Sequence, residues 1–159
     1  LLRSYLDNEI HDLHKKNIRF KVIGDREKLD ADIVELIEVA EELTKENCDL
    51  TLTIALSYGG RRAITLAAKE LAYRACKGTI KLDEISEEAF ELVLETQGVP
   101  NPDLVIRTSG EKRISNFLLW ECAYSEFVFF DTLWPDFSSE HLTKAVQEYC
   151  NRERRFGAA

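Results

Sequence analysis

The sequence predicts an α/β fold, a mostly parallel central β-sheet covered by α-helices. Short apolar runs recur at 18–23, 50–56, 103–106 and 127–130. Segments of 3.6-residue apolar periodicity separate them, which is the order of a sheet built by helical crossovers. The first three runs stop in GDR, SYGGR and RTSGEKR, turns of the kind that place ligands beyond the carboxyl ends of parallel strands.

Each element has its own warrant. Leu2, Leu6, Ile10 and Leu13 recur at helical spacing, so residues 1–16 read as an amphipathic helix. IRFKVI (Ile18–Ile23) alternates and stops at Gly24, as a strand does. Ile33, Leu36, Ile37, Ala40 and Leu43 mark the next helix, and LTLTIAL (Leu50–Leu56) the second strand. Ile64, Ala67, Ala68, Leu71, Ala72 and Ala75 form one stripe of a third helix. A short helix follows Ser86, an N-cap with Glu87 and Glu88 in its first turn and Ile85 and Phe90 as its hydrophobic staple; Gly98 and Pro100 stop it. Asp103–Ile106 is a third strand, 115–122 a helix, Phe127–Phe130 a fourth strand. A last helix starts near Ser138 and carries Leu142, Ala145, Val146 and Tyr149 on one face.

At 159 residues, with 45% hydrophobic and 31% charged, the chain reads as one domain, 1–159, able to bury a core without staples. The chain has no methionine, and Leu1 opens inside a helical pattern, so it reads as the C-terminal portion of something longer. A net charge of −8 argues against nucleic acid, which an acidic surface repels. The basic residues are local: Arg107, Lys112 and Arg113 form one group, and Arg152, Arg154 and Arg155 another. Four cysteines without CxxC or CxxH spacing argue against zinc and read as free thiols. No apolar run reaches the ~20 residues of a membrane span.

The segment DLVIRTSGEKRISNFLLWECAYSEFVFFDTLWPDF (103–137) carries the chemistry. Arg107, Arg113 and Ser115 offer cationic forks and a hydroxyl at a strand end, beside a predicted helix N-terminus, which suits a phosphate or diphosphate. The apolar SNFLLW behind them suits a hydrocarbon body, or simply a core. The alternative is that the arginines pair with Asp103, Glu111 or Glu121. SYGGRR (57–62) could cradle a phosphate but lacks the full glycine pattern, and a tight strand-to-helix turn explains it as well. Glu126 could hold Mg²⁺ together with diphosphate oxygens or sit solvated at a strand edge. His11 and His14 lie on a solvated helix face. Phe127, Phe129, Phe130 and the run Asp131–Phe137 suggest apolar surface covered by helices or by a second subunit. The terminal NRERRFG is a frayed tail or a donor of Arg155 and Gly157 to an anion site.

These residues together resemble the cis-prenyltransferases, the undecaprenyl diphosphate synthase family. The resemblance rests on 103–137, on NRERRFG, and more weakly on IRFKVIGDREKL and LSYGGR. It implies a homodimeric α/β fold that condenses isopentenyl diphosphate with an allylic diphosphate such as farnesyl diphosphate. Each cycle adds a Z double bond, toward a product such as undecaprenyl diphosphate. It further implies that Arg107 and Arg113-Ile114-Ser115 bind the isopentenyl diphosphate head, that Glu126 is a Mg²⁺ ligand, and that Arg155 and Gly157 reach the same diphosphate, from the partner subunit. The implied location is the cytoplasm, with peripheral contact at the inner membrane face where the product is delivered. Ser57 stands where the family commonly has Asn, Ala63 where an acid is frequent, and RTSG replaces RTGG. The family's DGNGRWA and FSxENWxRP segments, with the catalytic aspartate and asparagine, are expected upstream of Leu1. The 159 residues alone are therefore expected not to complete condensation. A non-catalytic partner subunit of a heteromeric enzyme and a generic phosphate-ester or RNA-binding module are the rival readings. The first typically loses the diphosphate-binding residues that are present here.

Overall fold

The computed structural model describes residues 2–152. They fall into two compact units, Leu1–Gln97 and Gly98–Ala159. The first contains α1 (Leu2–Lys15), β1 (Ile18–Ile23), α2 (Ala31–Thr44), β2 (Leu50–Ala55), α3 (Gly60–Cys76) and α4 (Glu87–Glu91). The second contains β3 (Leu104–Arg107), β4 (Glu126–Phe129) and α5 (Ser139–Asn151).

In the first unit β1 and β2 pair in parallel, from Ile18 opposite Leu50 to Ile23 opposite Ala55. Parallel strands need a long crossover, and α2 supplies it. Its buried Ile37 and Ala40 pack with Phe20 and Val22 of β1 and Ile10 of α1. Burying a side chain such as Phe20 or Ile37 contributes about 1.5–3 kcal/mol. The outer edge of β1 is closed by side chains. Thr44 Oγ1 accepts the Phe20 N–H at 3.0 Å and donates to the Ala40 carbonyl at 2.8 Å. Glu41 Oε1 accepts the Val22 N–H at 2.8 Å, and Asn47 Nδ2 donates to the Ile18 carbonyl at 2.8 Å. Side chains that occupy these backbone groups leave no edge for another strand.

Gly24 ends β1 at φ +112°, and a Cβ built there would lie 2.0 Å from the Leu56 carbonyl oxygen. Only glycine fits. The buried stripe of α3 is Gly60, Ala63, Ala67 and Leu71. It is rotated from the expected one, since Ala68 and Ala72 are exposed. Ser86 caps α4 as expected, its Oγ accepting the Ala89 N–H at 3.2 Å.

In the second unit β3 and β4 are parallel, with Leu104 opposite Glu126 and Arg107 opposite Phe129. Each lies one residue from its expected bounds. Both strand pairs are parallel, as the periodicity predicts. The expected helix over 115–122 does not form. Ser115, Asn116 and Leu118 take φ of +49°, +66° and +42°, in the left-handed region, and the chain turns there before a short 3-10 segment at Glu121–Tyr124. Ser and Asn at 115–116 are residue types that favour turns over helix interiors, and Ser115 Oγ is held by Arg107. On α5 only Ala145 is buried, while Leu142 and Val146 are exposed.

All four cysteines are free, Cys122 buried and Cys48, Cys76 and Cys150 exposed. Burial pushes the Cys122 thiol up, the Glu121 charge adds to this, and a hydrogen bond with Ser125 partly opposes it. Ellman's reagent at neutral pH should therefore modify three thiols quickly and the fourth only on unfolding. Gly24→Ala should lower the unfolding free energy by at least about 2 kcal/mol in urea titration, because both the positive φ and the Leu56 clash oppose it.

Candidate functional site

The site is built by the end of β3, the loop after it, and the segment that follows β4. Phe130 N donates to the Arg107 carbonyl at 2.8 Å, Gly110 N to the Phe130 carbonyl at 2.9 Å, and Ser109 N to the Thr132 carbonyl at 2.8 Å. These bonds fasten the TSG turn to the stretch 130–132. Ser109 and Gly110 sit at φ +67° and +69°. From this anchored turn the Arg107 guanidinium reaches across the loop. Its Nη1 donates to Ser115 Oγ at 2.9 Å and, in a short contact, to the carbonyl of Arg113.

Arg107, Arg113, Ile114 and Ser115 thereby line one cleft of about 210 Å³, with Val105, Ile106, Phe117 and Phe127 behind them. Its lining combines two arginines and a hydroxyl with apolar side chains. Nη1 of Arg107 is committed to the loop; among the described residues its Nε and Nη2 donors have no partner. Arg113 pairs with Glu111 on its own loop, and its side chain is 66% exposed. An exposed pair of this kind contributes about 0–1 kcal/mol and is readily exchanged for a stronger anion. The carboxylate partner anticipated for Arg113 is thus present, whereas among the described residues Arg107 has none. The helix expected to begin at 115 beside the cations is absent, because 115–118 is turned.

Glu126 opens β4 and is bound by Arg152, whose Nη1 donates to its Oε2 at 2.6 Å; Arg152 also contacts Glu148. The hydrogen bond to Glu126, seconded by Glu148, raises the Arg152 pKa above the ordinary arginine value. Among the described residues no cluster of three or more His, Cys, Asp or Glu could hold a metal. Glu126 is a single hard carboxylate, which suits a cation that draws its other ligands from phosphate and water. Arg152, read from sequence as part of a basic tail, is instead a partner of this carboxylate; its i,i+4 spacing from Glu148 is the one sequence signal for it. Arg155 and Gly157 lie outside the described residues.

Arg26 and Arg62, from the other strand-end motifs, pair with carboxylates. Arg26 is held by Glu41 at 2.7 Å. Arg62 binds the buried Asp25 at 3.0 Å and also contacts Glu95. SYGGRR is a strand-to-helix turn whose arginine neutralises a carboxylate from the end of β1. His11 and His14 are exposed, as expected. Since Arg62 is itself 35% exposed and Lys28 stays beside the buried Asp25, Arg62→Ala should cost about 2 kcal/mol in urea unfolding, less than the roughly 3–5 kcal/mol of a fully buried pair. It should leave titration with inorganic pyrophosphate unchanged.

The sequence model of a family described as "Putative undecaprenyl diphosphate synthase" matches residues 1–157. The chain is 46% identical over 158 residues to an isoprenyl transferase of Agrobacterium fabrum, covering 99% of this chain and 64% of that protein. It is 49% identical over 157 residues to the isoprenyl transferase of Zymomonas mobilis, covering 99% and 63%. The chain therefore spans less than two thirds of the length of these relatives. Among solved structures it is similar to lavandulyl diphosphate synthase from Lavandula x intermedia in complex with dimethylallyl diphosphate. That match has a TM-score of 0.94 at 36% identity and covers 98% of this chain and 68% of that one. It is also similar to a probable undecaprenyl diphosphate synthase from Campylobacter jejuni, with a TM-score of 0.84 at 36% identity, covering 98% and 71%.

Proposed function

The chain belongs to the undecaprenyl diphosphate synthase family, and from that premise we propose that it is the isopentenyl-diphosphate-binding part of a cis-prenyltransferase. The observation that carries this reading is the grouping of Arg107, Arg113 and Ser115 in one cleft with the apolar Val105, Ile106, Phe117 and Phe127. An ester with two phosphates and a five-carbon tail matches both parts of that lining. We take 1–159 as part of a single catalytic domain, since the family match runs unbroken over 1–157.

In this reading Arg107 presents its Nε and Nη2 donors to the diphosphate while Nη1 holds the loop. Arg113 leaves Glu111 for a phosphate oxygen. The Ser115 hydroxyl, which accepts from Arg107, turns its own proton to the anion. Each charge-assisted bond shielded from water contributes about 1.5–3 kcal/mol. The apolar wall of Val105, Ile114 and Phe127 receives the alkene and keeps water from it. These groups orient the isopentenyl double bond for attack on an allylic cation, such as that from farnesyl diphosphate, and a proton is then lost to leave a Z double bond. Ionisation of the allylic partner is not assigned to these residues.

Glu126 would contribute a carboxylate to Mg²⁺, which when bound neutralises diphosphate charge. Arg155 and Gly157 would approach the diphosphate from a partner subunit. A homodimer is supported by exposed Leu133, Trp134, Leu142 and Val146, all in the second unit. No described helix is long and apolar enough to cross a membrane. We place the enzyme in the cytoplasm, in peripheral contact with the membrane that takes up its polyprenyl product, undecaprenyl diphosphate in the family's usual case.

Arg107→Ala and Arg113→Ala in the full-length protein should each raise KM for isopentenyl diphosphate about tenfold or more, the equivalent of one lost charge-assisted bond. Unaltered KM in both variants removes these side chains from the substrate site.

A further inference from the structure

His141 occupies the third position of α5, and its ring is bonded at both nitrogens. Nδ1 lies 3.1 Å from the backbone N of Ser138 and 2.9 Å from Ser138 Oγ. Nε2 lies 3.2 Å from Thr132 Oγ1. A backbone N–H can only donate, so Nδ1 is the acceptor and the ring proton belongs on Nε2. From there it is donated to the Thr132 hydroxyl. The ring is fixed on its faces as well, stacked on Phe137 with centroids 5.5 Å apart and edge-on to Phe130 at 5.5 Å. Among the described residues no carboxylate pairs with it.

What Thr132 does next gives this arrangement its consequence. Its carbonyl accepts the Ser109 N–H, and Phe130, two residues earlier, bonds both Gly110 and Arg107 through its backbone. The bond series runs from α5 through His141 and Thr132 to the turn that aims Arg107. We propose that His141 is a positioning residue for the anion site, holding the Thr132 segment, and with it the TSG turn, through a neutral imidazole that donates from Nε2. The proposal rests on the diphosphate reading of the Arg107 cleft.

Two substitutions separate the two ends of the ring. The amide nitrogen of glutamine falls near the place of Nε2, and the side-chain amide of asparagine near that of Nδ1. His141→Gln can therefore keep the donation to Thr132, whereas His141→Asn keeps the helix cap and loses it. Thr132→Val removes the acceptor with little change of shape. The full-length protein and these variants, with Arg107→Ala as the reference, are titrated with inorganic pyrophosphate by calorimetry. The ring tautomer is read from ¹⁵N shifts of His141.

The expected result is a proton on Nε2. Pyrophosphate affinity should fall roughly three- to tenfold in His141→Asn and Thr132→Val, the effect of one neutral hydrogen bond. The double variant should be no worse than either alone, and His141→Gln should stay near wild type. A proton on Nδ1 overturns the proposal, and so does wild-type affinity in Thr132→Val while Arg107→Ala has lost binding. In that last case the diphosphate site itself stands. If Arg107→Ala binds pyrophosphate normally, the site reading falls and takes this inference with it.

Discussion

The bond pair from Arg107 Nη1 to the Arg113 carbonyl and to Ser115 Oγ is the constraint on which the second unit's loop depends. Between these residues the chain has neither helix nor strand to hold it, and from Ser115 to Leu118 it takes three left-handed φ values. Each such residue other than glycine costs on the order of 1 kcal/mol and persists only where its surroundings impose it. A planar guanidinium can bond two loop atoms with one nitrogen and still face a ligand with the others. A lysine ammonium at the same place would be a point charge without that fork. The residue that organises the loop is thus also the one that presents donors to the cleft. An anion arriving there meets a preorganised group.

Much of this architecture was legible from period alone. The strand at 18–23 coincides with its apolar alternation, and the helix at 31–44 buries Ile37 and Ala40 from its predicted stripe. The stripe of α3 was misread because Ala and Ile at 64, 68 and 72 look as apolar as the true face, and alanine carries little preference for burial. The helix expected at 115–122 failed for a different reason. SNFLLW has helical spacing, but local Ser and Asn chemistry and the hold of Arg107 on Ser115 decide the backbone there. No periodicity encodes a bond from residue 107 to residue 115. The residues proposed for the anion site could be named from their types, yet which of the flanking acids would pair with Arg113 could not.

The departures from the family pattern acquire a physical meaning in the structure. Ser57 and Ser109, which replace the commoner Asn and Gly, both lie at positive φ, +50° and +67°. Asn and Gly are the residues that tolerate this region best. The RTSG change therefore carries a backbone cost in the turn beside Arg107, because a glycine there would donate the same N–H to Thr132 without that cost. Ala63 is fully buried in α3. A carboxylate in its place would need a partner, and the neighbouring Arg62 is already committed to Asp25 and Glu95.

The same reasoning bears on Glu126. Its carboxylate does not wait free in solvent, since Arg152 binds it from the C-cap position of α5. A divalent cation would have to displace that guanidinium, which costs a charge-assisted bond. The cost is moderated because Arg152 keeps Glu148, four residues earlier on the same helix, as a second partner. A cation bringing diphosphate oxygens with it can outcompete one arginine bond, whereas a cation with water alone gains less from a single carboxylate. On the proposed reading, in which one diphosphate serves both the metal and the cleft, occupation of Glu126 by metal is coupled to occupation of the cleft by diphosphate.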